Sequence, residues 1–455
     1  MKQTSIIGGT CMEKIAFAVE KHRELILSAE RYLWKHPETG FKEYKSNQYL
    51  IDRFRALGYE LTLAEGITGF YTIIDTGREG PEVMILGELD SIICPTHKEA
   101  DPITGAVHSC GHHAQGATLL GIAAALKEEG ILDGLCGRIR LCAVPAEELL
   151  EIEYRAGLKA EGKIRYFGGK TEFLSRGYFD GVDIAFMVHT ATCDKYVVGG
   201  GHIGCIAKSI VYKGKAAHAG GAPHDGINAL YAANCGLNAI NALRETFREP
   251  DFIRVHPIVT SGGDMVNAIP EVVTLESYVR GASFDAILKE NRKVNRALIG
   301  AALSLGANID IHDFCGYAPE YNDSGLMDVV AEALGLVLPD EKISRSNKMS
   351  TGSSDMGDLS FIMPTVQSFA PGAIGTAHGN DYYLVDAERA CVGNAKHQLA
   401  MLFLLLENNA VRAHKIIDEF KPRFASAKEY LEFIDKICSS GDRITYNDDG
   451  ATVKF

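Results

Sequence analysis

The chain contains a scattered set of thiol, imidazole and carboxylate side chains of the kinds that bind transition metals. Cys110 and His112 are separated by a single glycine in the segment His-Ser-Cys-Gly-His, so both can reach one metal centre. The other potential ligands, in chain order, are Glu147, Glu148, His189 and His378. Any one of these residues alone is more often an ordinary core or surface residue, but together they can hold metal and activate water.

The two adjacent carboxylates, Glu147 and Glu148, follow Pro145 and Ala146 directly after an apolar run. Acidic doublets are common on solvated helix surfaces, which is the alternative interpretation, but they are less expected directly after a buried strand. Two neighbouring carboxylates can divide the work, because one can bind metal while the other takes a proton from a water at the metal. The pair therefore indicates hydrolytic chemistry.

Three further features are ambiguous from the residues alone. His218 lies in GKAAHAGGAPHDGINAL, a turn rich in glycine and alanine, where a histidine is usually exposed to solvent. Arg280 ends the run VVTLESYVRG and is either a charge at a strand edge or a clamp for a substrate carboxylate. The letters GGGHIG over 199–204 match a dinucleotide-binding pattern, but a strand rather than a helix follows, so we interpret them as an interdomain hinge.

Three apolar runs that read as buried strands end at these polar residues. The run VMILGELD ends at Asp90, RIRLCAV leads into the Glu147–Glu148 pair, and DIAFMVH ends at His189. A helix is predicted over 115–128, which has no proline and is followed by Gly130. Because catalytic groups gather at the carboxyl ends of strands in open α/β sheets, the repeated pattern predicts one site at one sheet edge.

From residue 204 the pattern changes. The predicted elements are a strand over 204–213, a helix over 226–248, strands over 253–261 and 271–280, a helix over 284–305 and a strand over 308–316. This β-α-β-β-α-β order is that of the ferredoxin-like unit, which tolerates insertion into another domain because its first and last strands tend to lie side by side.

The α/β pattern resumes beyond this unit, with a strand over 365–370 and a long helix over 384–408. We therefore predict an α/β fold with a discontinuous domain, residues 1–203 and 317–455, interrupted by an α+β domain of residues 204–316. Within the last part of the chain, residues 410–440 are predicted to be helical, and the final segment, from 441 onward, is predicted to lack regular structure.

Composition narrows the class of protein. The 455 residues are 46% hydrophobic and 23% charged, as in ordinary globular proteins, and the formal charge of −13 argues against a nucleic-acid partner. Eleven cysteines without a CxxC pair indicate reduced thiols. The N-terminal segment lacks a long apolar secretory signal, and the apolar run over 399–406 is too short to span a membrane, so a cytoplasmic protein is expected.

Seven segments, running in family order from about residue 36 to 409, resemble the metal-dependent amidohydrolases and peptidases that include aminoacylase and carboxypeptidase G. The resemblance is closest to the branch of p-aminobenzoyl-glutamate hydrolase and acylase-like dipeptidases. The segments are HPETGFKEYKS, HSCGH, PAEE, MVH, GKAAHAGGAPHDGINAL, VNAIPEVVTLESYVRG and GSSDMGDLSF. The resemblance implies a zinc-exopeptidase-like catalytic domain with an inserted ferredoxin-like lid that also dimerises.

The resemblance also implies a role for individual positions. The residues matching the family's metal ligands are Cys110, His112, Glu148, His189 and His378. Glu147 matches the general base, and Asp90 matches the acidic position that supports the metal site. His218 matches a lid histidine that reaches the active site of the other copy in a dimer, while Asn267 and Arg280 match lid residues that hold the substrate. The implied functional unit is a homodimer.

The chain departs from the usual family pattern at three places. The segment Gly87–Ser91 reads Gly-Glu-Leu-Asp-Ser where the family usually has Ala-Asp-Met-Asp-Ala, so Glu88 replaces an aspartate. His113 stands where this branch commonly has Asp or Asn, and the stretch 151–168 looks longer than usual. These departures bear on which substrate the protein accepts.

The expected activity is hydrolysis of the amide bond of an N-acyl amino acid or aminobenzoyl-glutamate-like substrate bearing a free carboxylate. Two divalent ions are expected, zinc or manganese, with the Cys110 thiolate favouring zinc. The alternatives are a dipeptidase of the same family, which needs an anchor for a free amino group, and a non-catalytic metal-binding partner protein. Neither a nucleic acid nor a membrane is an expected partner.

Overall fold

The computed structural model describes residues 4–448 and 450–455, with side chains from Met12 onward. An eight-stranded sheet forms its centre, in the order β1-β2-β6-β3-β7-β15-β8-β14. Its strands are β1 (Thr62–Leu63), β2 (Phe70–Asp75), β3 (Glu82–Glu88), β6 (Arg138–Val144), β7 (Ile184–Thr190), β8 (Tyr196–Val198), β14 (Ile343–Arg345) and β15 (Thr365–Ala370). The four central strands β6, β3, β7 and β15 are mutually parallel. Their carboxyl ends therefore meet at one edge.

Helices cover both faces of this sheet, which explains why its central strands are apolar without alternation. On one face lie α1 (Thr4–Lys21), α2 (Arg23–Trp34), α3 (Tyr44–Ala56), α4 (His112–Ala125), α9 (Ser324–Val337), α11 (Asn394–Leu406) and α12 (Val411–Glu419). On the other lie α6 (Gly169–Ser175), α10 (Met356–Ser360) and α13 (Ala427–Ile437). Helix α5 (Ile152–Ala160) packs outside this sheet, against the strand Gly204–Lys213. Every residue of β3 is buried. The predicted α/β class is confirmed.

A second, smaller sheet has its own core. It contains β9 (Gly204–Lys213), β10 (Arg254–Val255), β11 (Ile258–Ser261), β12 (Val272–Gly281) and β13 (Asn308–Tyr317), in the order β10-β12-β9-β13 with β11 also on β12. Helices α7 (Ala229–Leu243) and α8 (Phe284–Ser304) cover one face. Burial along β12 alternates between buried and half-buried residues, and residues around α5 cover part of the other face. We call residues 204–317 the small unit and the part built on the eight-stranded sheet the large unit.

Several details of the predicted elements are wrong. The helix predicted over 384–408 begins only at Glu388, since Tyr383–Leu384 is a strand, and the helix predicted over 410–440 is two helices, α12 and α13. The predicted strand over 253–261 is two strands, because Pro257 lies between them and has no backbone N–H for the ladder. The segment from 441 onward is not irregular: β18 (Ile444–Asn447) pairs with β19 (Gly450–Val453), and Ile444 is buried in the small unit's core. Four-residue strands leave too short a pattern for sequence reasoning to find.

The C-terminal segment contacts both units. Tyr430 on α13 donates a hydrogen bond to Asp358 in the large unit. Beyond α13 the chain runs beside β13: the Asp313 N–H donates to the Ser439 carbonyl at 2.7 Å, and the Ser439 N–H donates back at 3.0 Å. Residues from Ser439 onward, assigned from sequence to the discontinuous domain, therefore pack on the small unit.

In the described part of the chain, three two-stranded pairings lie outside the two main sheets: β4 (Ile92–Ile93) with β5 (Ala106–Val107), β16 (Ala373–Ile374) with β17 (Tyr383–Leu384), and the C-terminal hairpin. Residues Glu388–Gly393 form a π-helical segment that leads directly into α11. Among the described residues, no helix combines the length and apolar character needed to cross a membrane.

Candidate metal centre

The potential ligands come from the edge where the parallel strands of the large unit end. Asp90 follows β3, Glu148 follows β6, and His189 is the penultimate residue of β7. His112 begins α4, and Cys110 precedes it by one glycine. His378 lies in the loop between β16 and β17, where its N–H donates to the Ser109 carbonyl at 2.9 Å, so a backbone bond holds this late segment beside Cys110.

Gly111 is the residue that allows Cys110 and His112 to point into one site. Its φ is +102°, a conformation that glycine adopts without strain. A Cβ built at this position would lie 2.6 Å from the Tyr382 hydroxyl oxygen. The spacing of one glycine noted in the sequence therefore has both a conformational and a steric reason.

The ligand atoms lie within metal-binding distance of one another. The Cys110 Sγ is 3.3 Å from His189 Nε2, and His378 Nε2 is 3.0 Å from Glu148 Oε1. Three sets have all their donor atoms within 4.8 Å: Cys110, His112 and His189; Cys110, Glu148 and His378; and Glu88, His112 and Glu147. Cys110 belongs to two of these sets and is the residue that connects them.

Asp90 connects the ligands without belonging to any of these sets. Its Oδ1 lies 3.0 Å from His112 Nδ1, which leaves Nε2 of that ring for a metal. Its Oδ2 accepts a hydrogen bond from the Glu148 N–H at 2.8 Å. A carboxylate behind a histidine fixes the ring and raises its basicity, which is the supporting arrangement common at metal sites.

Glu147 is presented to the site by a strained turn. Ala146 has a φ of +55°, in the left-handed region, and its N–H donates to Glu43 Oε1 at 2.8 Å. The side chain of Glu147 is nearly buried, and its Oε2 lies 3.9 Å from His112 Nε2. Burial, together with the nearby Glu88 and Glu148 carboxylates, raises the pKa of Glu147, so it holds a proton more readily than an exposed glutamate.

The electrostatics of the other groups match a cation site. Burial and Glu148 would raise the pKa of the Cys110 thiol, but the His112 and His189 imidazoles outweigh them and bring it to about 6. Burial would also raise the pKa of Glu148, but His378 lowers it below the usual value. A thiolate and an ionised carboxylate are therefore available at neutral pH.

The residues fit a divalent transition metal. The Nε2 atom of His112 is buried without a hydrogen-bond partner among the described residues, although it lies only 3.2 Å from Glu88 Oε2. A thiolate, imidazoles and a carboxylate together suit zinc, and imidazole with carboxylate also suits manganese. Cys110, His112, Glu148, His189 and His378 are the residues that would hold such ions.

A buried ion cluster behind the ligands was missed by sequence reasoning. The Lys170 Nζ lies 2.5 Å from Glu88 Oε1 and also donates to Asp355, and all three side chains are buried. Glu88 also accepts from the Gln115 amide at 2.7 Å. The acidic end of β3 was a signal for Glu88, but nothing local marks Lys170 on α6 or Asp355 near α10, because they meet only in the tertiary structure.

Four of the five residues that would hold metal, Cys110, Glu148, His189 and His378, line a cavity of about 490 Å³ between the large and small units. Arg280, from β12 of the small unit, also lines it, with Tyr278, Tyr317 and Phe369. The Arg280 Nε is buried, and within the described part of the chain it has no hydrogen-bond partner and no carboxylate pairs with its guanidinium. An unpaired guanidinium in a cavity wall can receive a carboxylate.

Two residues expected in the site lie elsewhere in the chain's own structure. His218 and Asn267 are exposed on neighbouring loops of the small unit, and neither lines the cavity. The two loops touch, since the Ala219 N–H donates to the Asn267 carbonyl at 2.9 Å. His218 Nδ1 accepts from the Gly220 and Gly221 N–H groups, at 3.1 and 2.9 Å.

Residues 84–400 match the model of peptidase family M20/M25/M40. Among relatives, the chain is 25% identical over 376 residues to the Xaa-Arg dipeptidase of Mus musculus, covering 78% of each chain. It is also 25% identical over 421 residues to one of the subunits of the p-aminobenzoyl-glutamate hydrolase of Escherichia coli K12, covering 79% of this chain and 83% of that protein.

The fold is similar to that of a solved dinuclear metal-binding peptidase of the M20 family from Bacillus subtilis. The TM-score is 0.62 and the sequence identity is 20%, and the match covers 85% of this chain and 99% of that one. At this identity the similarity describes the fold rather than the substrate.

Proposed function

Because the chain belongs to peptidase family M20/M25/M40, we propose that it is a metal-dependent amidohydrolase that cleaves the amide bond of an N-acyl amino acid. One observation carries the proposal: Glu147 and Cys110 line the same cavity as Arg280, which has no carboxylate partner among the described residues. A base, a metal-binding set and a carboxylate receptor on one cavity are the parts that this reaction requires.

The proposed cofactor is a pair of divalent ions, zinc or manganese, held by the five ligands named above. Such ions, when bound, polarise a carbonyl group and make water easier to deprotonate. The similar fold described as a dinuclear metal-binding peptidase supports two ions, and Cys110 would be among the residues that hold them.

Glu147 moves the protons in this proposal. Its carboxylate takes a proton from the attacking water, and the raised pKa of Glu147 lets the side chain keep that proton. The same carboxyl group then delivers the proton to the nitrogen of the leaving amino acid as the amide bond breaks. Asp90 holds the His112 ring in place throughout, and the turn at Ala146 keeps the Glu147 side chain facing the cavity.

Arg280 is proposed to bind the free carboxylate of the substrate. Arg280→Met should therefore raise KM by roughly 10-fold to 100-fold, the scale of one hydrogen bond to a charged group, and change kcat less. Steady-state kinetics with an N-acyl amino acid would measure this. Arg254→Met is the matched control, because Arg254 pairs with Arg280 across the sheet but is exposed outside the cavity. An equal rise in KM in both variants would contradict the assignment.

A dipeptidase is the second possibility, supported by the similarity to the Xaa-Arg dipeptidase. A dipeptide needs an acidic anchor for its free amino group. Of the described residues, the only acidic ones that line the cavity are Glu147 and Glu148, and both have proposed roles at the metal centre. The lining therefore favours a substrate whose nitrogen is acylated.

The test of the reaction is a substrate panel. Zinc-loaded and manganese-loaded protein would be incubated with N-acyl amino acids, aminobenzoyl-glutamate and dipeptides, and products would be detected by mass spectrometry, with Glu147→Gln as the blank. We expect hydrolysis of acylated substrates by the wild-type protein only. Turnover confined to dipeptides would favour the second possibility, and metal binding without any turnover would favour a non-catalytic partner protein.

We further propose that the protein is a homodimer formed through the small unit. Tyr231, Met265 and Val266 are exposed around one shallow pocket, and β11 is an edge strand with all four residues exposed. Exposed apolar residues beside a free strand edge suit a self-complementary interface. His218 and Asn267 lie outside their own cavity, so a partner copy is the route by which they would reach an active site.

Mixing two inactive variants tests whether His218 acts across subunits. In a mixed dimer, one chain carries Glu147→Gln and the other carries His218→Ala. If His218 acts in the partner's site, one of the two sites then contains both substitutions and the other contains neither. After subunit exchange at equal amounts, about a quarter of wild-type activity should return, because half the dimers are mixed and each has one intact site. His224→Ala, at an exposed histidine of the same loop, is the control and should itself be active. Stable mixed dimers with no recovery would contradict the arrangement.

A further inference from the structure

A second histidine system faces the cavity and has no part in the chemistry above. His202 lines the cavity and is only 6% exposed, and its Nδ1 is hydrogen-bonded to Oε2 of Glu320, which is fully buried. The two residues lie on the two chain segments that connect the large and small units. A backbone bond joins the same segments, since the Glu320 N–H donates to the His202 carbonyl at 2.9 Å.

The His202 ring is fixed in orientation. It makes an edge-to-face contact with Phe369, with centroids 5.5 Å apart and planes at 73°, and a Cβ built at Gly352 would be 3.2 Å from the His202 Cδ2. Since Glu320 occupies Nδ1, Nε2 is the nitrogen left for another partner. No described residue forms a hydrogen bond with it. Packing on several sides and a carboxylate behind the ring are the features of a functional group held in position.

A purely structural role explains this arrangement poorly. A buried carboxylate paired with a single imidazole costs desolvation energy that an apolar pair of similar size avoids. The Oε1 atom of Glu320 is also buried and receives no hydrogen bond from any described residue. The connection between the segments is already made by backbone hydrogen bonds, so the side-chain pair is not needed to join them.

The position of His202 relative to the metal ligands suggests which part of a substrate it meets. Phe369 lies between the two rings, 5.7 Å from the His189 centroid and 5.5 Å from that of His202. His202 is therefore separated from the metal ligands by one aromatic side chain, and it shares the cavity with Arg280. A group bound there would belong to the substrate but lie away from the bond that breaks.

We propose that His202, held by Glu320, is a specificity-determining residue that binds a second anionic group on the amino-acid part of the substrate. This inference rests on the proposed amidohydrolase function. One carboxylate of the substrate pairs with Arg280, and a side-chain carboxylate accepts a hydrogen bond from His202 Nε2, while Glu320 holds the ring at Nδ1. The substrate class is accordingly N-acylated acidic amino acids, in preference to apolar ones of equal length.

Substitution of His202 by asparagine or by glutamine tests the roles of its two ring nitrogens separately. His202→Asn retains a group near Nδ1, and therefore the contact with Glu320, but has nothing at the position of Nε2. His202→Gln places an amide near Nε2. The two ligands are N-acetyl-glutamate and N-acetyl-norvaline, which differ by replacement of the terminal carboxylate with a methyl group. Calorimetry on zinc-loaded protein carrying Glu147→Gln measures binding without turnover, so the result does not depend on the reaction being the one proposed.

With His202 intact, we expect the glutamate compound to bind roughly 10-fold to 100-fold more tightly than the norvaline compound. His202→Asn should abolish most of that ratio, His202→Gln should restore part of it, and Glu320→Gln should reduce it. His312→Asn, at a partly exposed histidine on β13, should leave the ratio as it was. A structural role predicts equal weakening for both ligands and a lower melting temperature.

Three results would overturn the inference: no preference with His202 intact, no binding of either ligand, or an unchanged ratio in His202→Asn. Hydrolysis of the same pair by protein with Glu147 restored separates the two proposals. Preferential binding of the glutamate compound without its hydrolysis would remove the amidohydrolase proposal and leave the role of His202 standing. Hydrolysis of both compounds at equal efficiency would support the amidohydrolase proposal and contradict the role of His202.

Discussion

Glu147→Gln should lower kcat by roughly 10²-fold to 10⁴-fold, the usual contribution of one acid–base group. Glutamine has nearly the same shape as glutamate but cannot take a proton from water or return one to the leaving nitrogen. The structure places the Glu147 carboxylate close to the metal-binding groups, 3.9 Å from His112 Nε2, and burial with two neighbouring carboxylates raises its pKa. These are the properties of a base that must hold the proton between two steps.

The metal content of the same variant distinguishes a base from a ligand. The five proposed ligands remain in Glu147→Gln, so elemental analysis should find the wild-type metal content. Glu148→Gln is the matched comparison, because its carboxylate lies 3.0 Å from His378 Nε2 and its loss should lower metal content as well as activity. Loss of metal in Glu147→Gln, or retention of most of the activity, would contradict the role given to Glu147.

Lys170→Met should destabilise the protein by about 3–5 kcal/mol, the cost of removing one partner from a buried ion pair. The Lys170 ammonium is fully buried between the Glu88 and Asp355 carboxylates, and both raise its pKa despite the opposing effect of burial. Methionine fills a similar volume but leaves two carboxylates without a cation. Denaturant unfolding followed by circular dichroism would measure the change in the free energy of unfolding.

The matched control is Lys213→Met, since Lys213 also pairs with two aspartates but its side chain is 40% exposed. Exposed ion pairs contribute at most about 1 kcal/mol, so that variant should unfold almost as the wild type does. Combining Lys170→Met with Glu88→Gln should recover part of the loss, because one of the two uncompensated charges disappears. Equal stability of the Lys170 and Lys213 variants would show that the cluster adds nothing to folding.

The part of the site that sequence could predict is the part built on local pattern. Runs of apolar residues that end in Asp90, Glu148 and His189 predict strands with polar carboxyl ends, and β3, β6 and β7 are neighbours in the sheet. The single glycine between Cys110 and His112 predicts shared coordination, and their donor atoms do lie in one set. In each case the information lies within a few residues of the chain.

The missed residues depend on contacts between distant segments. Lys170 pairs with Glu88 across 82 positions and with Asp355 across 185, and His202 pairs with Glu320 across 118. No spacing rule connects such residues, because the folded structure alone brings them together. His218 and Asn267 likewise depend on tertiary contacts, and both lie outside the cavity of their own chain.

The contacts of the C-terminal segment bear on how far the two units can move apart. The chain passes between the two units at His202 and again at Glu320. Because these two crossings are adjacent, they alone would allow one unit to rotate relative to the other. Asp435 is bonded to Tyr166 in the large unit, and Ser439, only four residues later, is bonded to β13. Four residues span at most about 14 Å when fully extended. This short segment limits how far the large and small units can separate. Substrate entry and product release therefore involve only a small opening of the cavity, unless the C-terminal segment first detaches from one unit.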